Sequence, residues 1–275
     1  MNVKQAIFNP GGIVVAMYGI LRGFANGPWV LLQLVSQRLG MSHDRDIEII
    51  THRGSRITTT KNGVIGPAEV FGLDVYHLAQ LVGGSTRADL HVVDVGAHVG
   101  SFTIAVLERC PQAQCSSYEP SPDTFRYLER NVHANGLASH TKVVQAAVGG
   151  VAGWATLWEA EKASGVNSLI PSEMSRPVEV TVVTLDQVIK QVGRRIDILK
   201  IDCEGSEFAI LRNASMESLQ AVERIVMEYH VVQGHDIQSI TKRLAEAGLK
   251  CSNRTGHIAR FERMPVCGSE ECVMR

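Results

Sequence analysis

The stretch His91-Val92-Val93-Asp94-Val95-Gly96-Ala97-His98-Val99-Gly100 decides the fold of this chain. It is a short apolar run that carries an acid near its end, turns on glycine and leads into a helical pattern from Phe102 to Glu108. Strand, Gly-containing turn and helix, in that order, build the ligand site of a doubly wound α/β sheet. Ligands there sit beyond the carboxyl ends of the strands, and a residue without Cβ lets the backbone approach them. From residue 90 onward, short apolar runs alternate with helical stretches, which predicts βαβ units and a mostly parallel sheet.

Core strands are expected at Leu90 to Val95, Cys115 to Glu119, Lys142 to Val148, Ile196 to Ile201 and Arg224 to Tyr229. Ala155 to Trp158 and Val178 to Val183 read as extra strands around a loop at Ser164 to Leu169. A helix is expected from Ile237 to Ala247, followed by an antiparallel end to the sheet at Lys250 to Ser252, Ile258 to Glu262 and Cys272 to Met274. Before the core, WVLLQLVSQRL (Trp29 to Leu39) has helical apolar spacing, and DIEIITHRGSRITTT (Asp46 to Thr60) reads as a hairpin. Val75 to Leu81 has helical character and stops at Gly83-Gly84. The expected organisation is an N-terminal helical and hairpin extension over residues 1–85, a lid or dimer surface in its plainest role, and a ligand-binding domain over 86–275.

Length and composition suit a folded soluble protein: 275 residues, 45% hydrophobic and 20% charged. The 27 basic residues nearly cancel the 28 acidic ones, leaving a formal charge of -1 and no global attraction to nucleic acid. A small-molecule substrate is the default. The six cysteines form no CxxC pair, so the expected setting is reducing and cytoplasmic. The apolar segment Ile13 to Phe24, interrupted by Gly19 and Arg22, is too short to span a bilayer, so no integral membrane segment is expected.

The chemistry gathers at the strand ends. A dinucleotide site usually places G-x-G-x-x-G in the first turn, its middle glycine admitting the pyrophosphate. Here His98 holds the middle position, and an imidazole fits a pyrophosphate poorly. S-adenosylmethionine has no pyrophosphate, and its ammonium and sulfonium suit Asp94. The turn residues Gly96, Ala97, His98 and Gly100 are therefore candidate cofactor contacts, against the plainer reading of an ordinary glycine turn. The second strand ends in Glu119-Pro120-Ser121, which places a carboxylate 19 residues beyond Gly100, where a ribose diol would lie. The fourth ends in Asp202-Cys203-Glu204-Gly205-Ser206-Glu207, an acidic cluster on the same rim, although acids at a helix N-terminus are also favoured by its dipole. The fifth ends in Glu228-Tyr229-His230, and histidine is the side chain best suited to take a proton near neutral pH, although a lone histidine at a strand end is more often a structural residue.

Together VVDVGAHVGSFTI, YEPSPDTFRYLERNV, VTLDQVI and IDILKIDCEGSEFAILRNA resemble the FkbM family of S-adenosylmethionine-dependent methyltransferases. The resemblance runs from about Asp94 to His230, and L-K-I-D-x-E-G-x-E is its most specific part. It implies a class I methyltransferase fold with a seven-stranded sheet and O-methylation of a sugar or secondary metabolite. It also implies cofactor contacts from Asp94, Gly96, His98, Gly100 and Glu119, with Asp202 and Glu204 on the substrate side. The family commonly has Asn where this chain has His98.

The expected mechanism is an in-line displacement in which the protein aligns donor and acceptor and excludes water. His230 or Glu204 would deprotonate a hydroxyl while Asp202 orients cofactor and acceptor. If Asp202, Glu204 and Glu228 converge, a divalent cation is a further cofactor, acidifying that hydroxyl. The loop Gly165 to Leu169 has the character of a lid and equally that of an ordinary surface turn, and a homodimer is among the assemblies the apolar N-terminal surface allows. Two rivals share these features: a nicotinamide-dependent oxidoreductase using the same turn and Glu119, and a non-catalytic scaffold docking through its N-terminal segment.

Overall fold

The computed structural model describes residues 10–41, 46–83, 90–160, 175–203, 205–230 and 236–264. Its centre is a seven-stranded sheet made from β3 (His91–Val95), β4 (Gln114–Tyr118), β5 (Thr141–Val144), β9 (Ile198–Ile201), β10 (Arg224–Glu228), β11 (Leu249–Thr255) and β12 (Ile258–Arg263). The spatial order is β11-β12-β10-β9-β3-β4-β5. The pairs β10–β9, β9–β3, β3–β4 and β4–β5 are parallel, and β12 runs antiparallel to both neighbours. This is the doubly wound, mostly parallel α/β architecture expected from the sequence.

Chain order reverses between β3 and β9: from β3 the chain proceeds outward through β4 and β5, then returns to lay β9 and β10 on the other side. The crevice beyond the carboxyl ends at such a reversal is where open α/β sheets bind ligands. Parallel strands covered on both faces are apolar throughout, and β9 is buried at every position, Lys200 included.

One expected strand divides in two. After β5, Ala146 donates its N–H to the carbonyl of Val144 at 3.0 Å, a tight turn that redirects the chain. The run then resumes as β6 (Ala147–Gly149), which leaves the main sheet to pair with β8 (Ser175–Thr184). With β7 (Gly153–Ala160) antiparallel to β8, these form a three-stranded sheet. The sequence conceals such a turn because valines and alanines continue through it, although Lys142 and Gln145 are exposed and, within the Lys142 to Val148 run, only Ala146 to Val148 are buried. The helix expected at Val75 to Leu81 also shortens, to Leu78–Val82. Asp74 and His77 adopt left-handed backbone (φ 46° and 44°), and the Asp74 carboxylate accepts from the Leu78 amide at 2.8 Å. The expected Cys272 to Met274 strand and the Ser164 to Leu169 loop lie outside the described residues.

At the N-terminal side, helices Pro10–Gly23 and Gly27–Arg38 precede a hairpin of β1 (Asp46–Ile50) and β2 (Arg56–Thr60). Their inner faces, including Ile20, Phe24, Val30, Ile47 and Ile57, share one apolar cluster with Val99 and Ile104 beside the glycine turn. Fully buried Asn131, on helix Pro122–Ala134, joins the parts: its Oδ1 accepts from Thr58 N (2.8 Å), and its Nδ2 donates to Thr58 O and Val99 O (both 2.9 Å). The first helix also crosses the segment 65–72 so closely that a Cβ on Gly72 would lie 1.9 Å from the Gly19 carbonyl oxygen.

Candidate active site

The turn after β3 is built on Gly96, which has φ +74°. A Cβ at this position would lie 1.8 Å from the carbonyl oxygen of Asp202, so the turn and the end of β9 can meet only through glycine. Gly96→Ala is therefore expected to destabilise the protein by more than about 3 kcal/mol, combining left-handed strain with a backbone clash. Urea unfolding measures this, and a midpoint unchanged from the parent would show that the two strand ends are not held together.

The amides of Gly96 and Ala97 both donate to the Tyr118 carbonyl, at 3.0 and 2.9 Å, locking the turn to the end of β4. The Ala97 methyl is buried with Leu128 and Val132. His98 follows in left-handed conformation (φ +53°), with its ring against Gly66, where an added Cβ would lie 3.4 Å from Nδ1. Gly100 (φ +89°) starts the helix Ser101–Arg109.

The His98 amide donates to Glu119 Oε2 at 2.9 Å, and the Ser121 amide donates to Oε1 at 3.0 Å. Glu119 is thus aimed back across the turn while only 6% exposed. Burial pushes its carboxyl up to about 7, outweighing the two amides and the Lys200 ammonium, which act downward. Pro120 follows, half-buried. Ser121 is almost fully buried and caps the next helix, its Oγ accepting from Thr124 N at 3.2 Å and donating to Glu159 at 2.5 Å.

Beneath the turn, fully buried Asp94 faces the buried Lys200 ammonium at 3.1 Å and accepts from Thr103 Oγ1 at 2.8 Å. Lys200 also donates to Gly96 O (2.7 Å) and lies 3.9 Å from Asp202. Asp94 thus reaches the turn through Lys200, and one buried cation ties the ends of β3 and β9 together. Removing one partner of such a pair would strand a charge in the interior.

Asp202 reaches the rim, where the buried Tyr76 hydroxyl donates to its Oδ2 at 3.3 Å. Burial, then the surrounding carboxylates of Asp202, Glu228, Glu69 and Asp94, raise the Tyr76 phenol well above its ordinary range, so it remains a donor. Phe102 meets its ring edge-on at 5.4 Å. Glu228 is buried at the end of β10.

Beside Asp202, fully buried Glu207 opens the helix Glu207–Asn213. It accepts from the amides of Cys203 (3.1 Å) and Gly205 (3.0 Å), and His230 Nδ1 lies 2.8 Å from its Oε1. Polar atoms of Asp202, Glu207 and His230 all fall within 4.8 Å of one another. Asp202 and His230 are thus brought together as the sequence suggests, with Glu207 rather than Glu204 as their described acidic neighbour. Glu204 and the Gly165 to Leu169 segment lie outside the described residues.

Sequence reasoning left Tyr76 and Lys200 without roles and did not pair Glu207 with His230. Lys200 carried a signal, a lone lysine in an otherwise apolar buried strand, which implies a buried partner. Tyr76 carried none, because it meets Asp202 across 126 residues of sequence. Among the described residues, Cys115 and Cys251 are free thiols, and no helix is long and apolar enough to cross a membrane.

Comparison with known proteins gives the following matches. The family model described as the methyltransferase FkbM domain matches residues 94–251. "Methyltransferase sdnD" of Sordaria araneosa is 26% identical over 191 residues, covering 58% of this chain and 72% of that protein. "Methyltransferase 1" of Beauveria bassiana is 26% identical over 160 residues, covering 51% of this chain and 64% of its own length, just under two thirds. The solved structure of the human methyltransferase 10 domain containing protein superposes with a TM-score of 0.48 at 14% identity, over 77% of this chain and 89% of that one.

Proposed function

The chain belongs to the FkbM methyltransferase family, and from that premise we propose that it moves the methyl group of S-adenosylmethionine onto a hydroxyl of a small-molecule acceptor. The observation that carries the oxygen-directed part is the pair His230–Glu207: an imidazole on the rim of the crevice, 2.8 Å from a fully buried carboxylate. A buried acceptor at Nδ1 fixes the tautomer and leaves Nε2 basic, which removal of a hydroxyl proton requires.

The fit to the cofactor rests on the donor set around the turn. Glu119 offers a buried carboxylate held in place by two amides, matching a sugar diol that donates two hydrogen bonds. The position where a dinucleotide site needs a middle glycine carries His98 instead, against a nicotinamide cofactor. When bound, S-adenosylmethionine supplies an electrophilic methyl group on sulfur. The chain's own residues do the rest: Glu119 and the turn hold the donor, Asp94 and Lys200 keep the turn in place, Asp202 with Tyr76 orients the acceptor side, and His230 takes the proton.

A divalent cation is a weaker reading. Asp202 already meets Tyr76 and Lys200, and Glu207 is occupied by two amides and the imidazole, so both carboxylates have partners within the protein. Activity is expected to survive chelation; loss on chelation and recovery with magnesium would replace the imidazole mechanism with a metal-assisted one.

The direct test is calorimetric titration with S-adenosylhomocysteine and, in parallel, NAD. Micromolar binding of the first alone is expected, followed by methyl transfer from labelled S-adenosylmethionine to hydroxylated acceptors. Binding of NAD, or methylation confined to nitrogen or carbon acceptors, overturns the reading.

A further inference from the structure

We propose that the two N-terminal helices dock the protein on an anionic lipid bilayer surface, laying their outward apolar stripes into the interface. Among the described residues, eleven of the fourteen exposed large apolar side chains lie between Ile13 and Met41. On helix Pro10–Gly23, Val14, Tyr18 and Leu21 recur at helical spacing and are 66%, 54% and 48% exposed. On and just beyond helix Gly27–Arg38, Trp29, Leu32 and Leu39 form a second stripe at 55%, 58% and 66%. The opposite faces are already used, since Ile20, Phe24 and Val30 are in the core. An apolar surface of this extent marks an interaction site rather than ordinary surface composition.

Charge selects the partner. No Asp or Glu occurs before Asp44, whereas Lys4, Arg22 and Arg38 fall in that segment, in a chain whose formal charge is -1. The exposed Arg22 guanidinium donates to Tyr18 Oη at 3.1 Å, setting a cation beside the first stripe. A second copy meeting this face would offer Arg22 no acid from either helix. Anionic headgroups complement them, and an interfacial helix combines such cations with aromatic and aliphatic residues on its buried face. Tyr18 and Trp29 suit the boundary between headgroup and chain. Length selects the mode: at 14 and 12 residues the helices extend roughly 21 and 18 Å, short of a hydrocarbon core of about 30 Å, so they lie in the surface rather than cross it. The first helix rests on segment 65–72, whose Gly66 faces His98, so one packed segment separates the docking face from the cofactor turn.

The test is co-sedimentation of the full chain with phosphatidylcholine vesicles, with and without phosphatidylglycerol, alongside sedimentation velocity without lipid. Binding to the anionic vesicles alone is expected, weakening as salt rises. The double variant Trp29→Ser, Leu32→Ser is expected to reduce partitioning by about tenfold or more, with its circular dichroism and S-adenosylhomocysteine affinity unchanged. Equal binding to neutral vesicles overturns the electrostatic selection. Absence of vesicle binding, with a dimer dissociated by the same variant, assigns the face to a second copy; absence of both overturns the proposal outright.

Discussion

Glu119→Ala is expected to weaken S-adenosylhomocysteine binding by about 100-fold or more, since it removes a buried charged acceptor for two hydroxyl donors. The parent protein should also show a pH signature. With its carboxyl raised to about 7 by burial, Glu119 is partly protonated near neutrality in the free protein. Hydroxyl donors favour the carboxylate, so binding releases a proton, and affinity rises with pH from about 6 until it levels above 7. Calorimetry in buffers of different ionisation heat reads that proton directly; binding without proton release near pH 6.5 would refute the assignment of the diol to Glu119.

The same shift has the opposite sign for folding. A carboxyl whose folded pKa exceeds its unfolded value binds more protons in the folded state between the two. Glu119 therefore lowers stability as pH rises from 4.5 to about 7, by ~3 kcal/mol in all, and the loss stays constant above that range. Under the proposed assignment a bound diol would recover part of this loss, because its donors stabilise the very form that burial penalises. Stability and affinity are thus linked through one carboxylate.

How much of this was legible in the sequence depended on how local each signal is. The turn at Gly96 to Gly100 was readable because strand, glycine and helix follow one another directly. The strand ends carrying Glu119, Asp202 and His230 were readable because parallel topology brings consecutive carboxyl ends to one edge. The division of the Lys142 to Val148 run was not, since Val143, Val144, Ala146 and Val148 read as one strand and the turn at Ala146 requires no glycine or proline. Asp94 has a structural partner that the local sequence does not disclose, the buried Lys200 ammonium 3.1 Å away across the strand pair. Glu207 was partly concealed by its position in the first turn of a helix, where an acid already has a sufficient local reason to occur.

That position makes Glu207 the more informative half of the second large prediction. His230→Ala is expected to lower kcat by about 10²- to 10⁴-fold, the range of a lost general base, with S-adenosylhomocysteine affinity nearly unchanged. Glu207→Gln retains shape and some acceptor capacity for the Cys203 and Gly205 amides but removes the anion beside the imidazole, so kcat should fall by ~10-fold or more. A role confined to anchoring the helix would lower stability without moving the pH profile. An orienting anion predicts that the acidic limb of kcat against pH shifts to lower pH in Glu207→Gln, because a neighbouring carboxylate favours the imidazolium. The two groups act as a unit, so the double variant should be no slower than His230→Ala alone. Independent, multiplying losses would place Glu207 outside the proton path and leave Asp202, the other acid within reach of His230, as the group to examine.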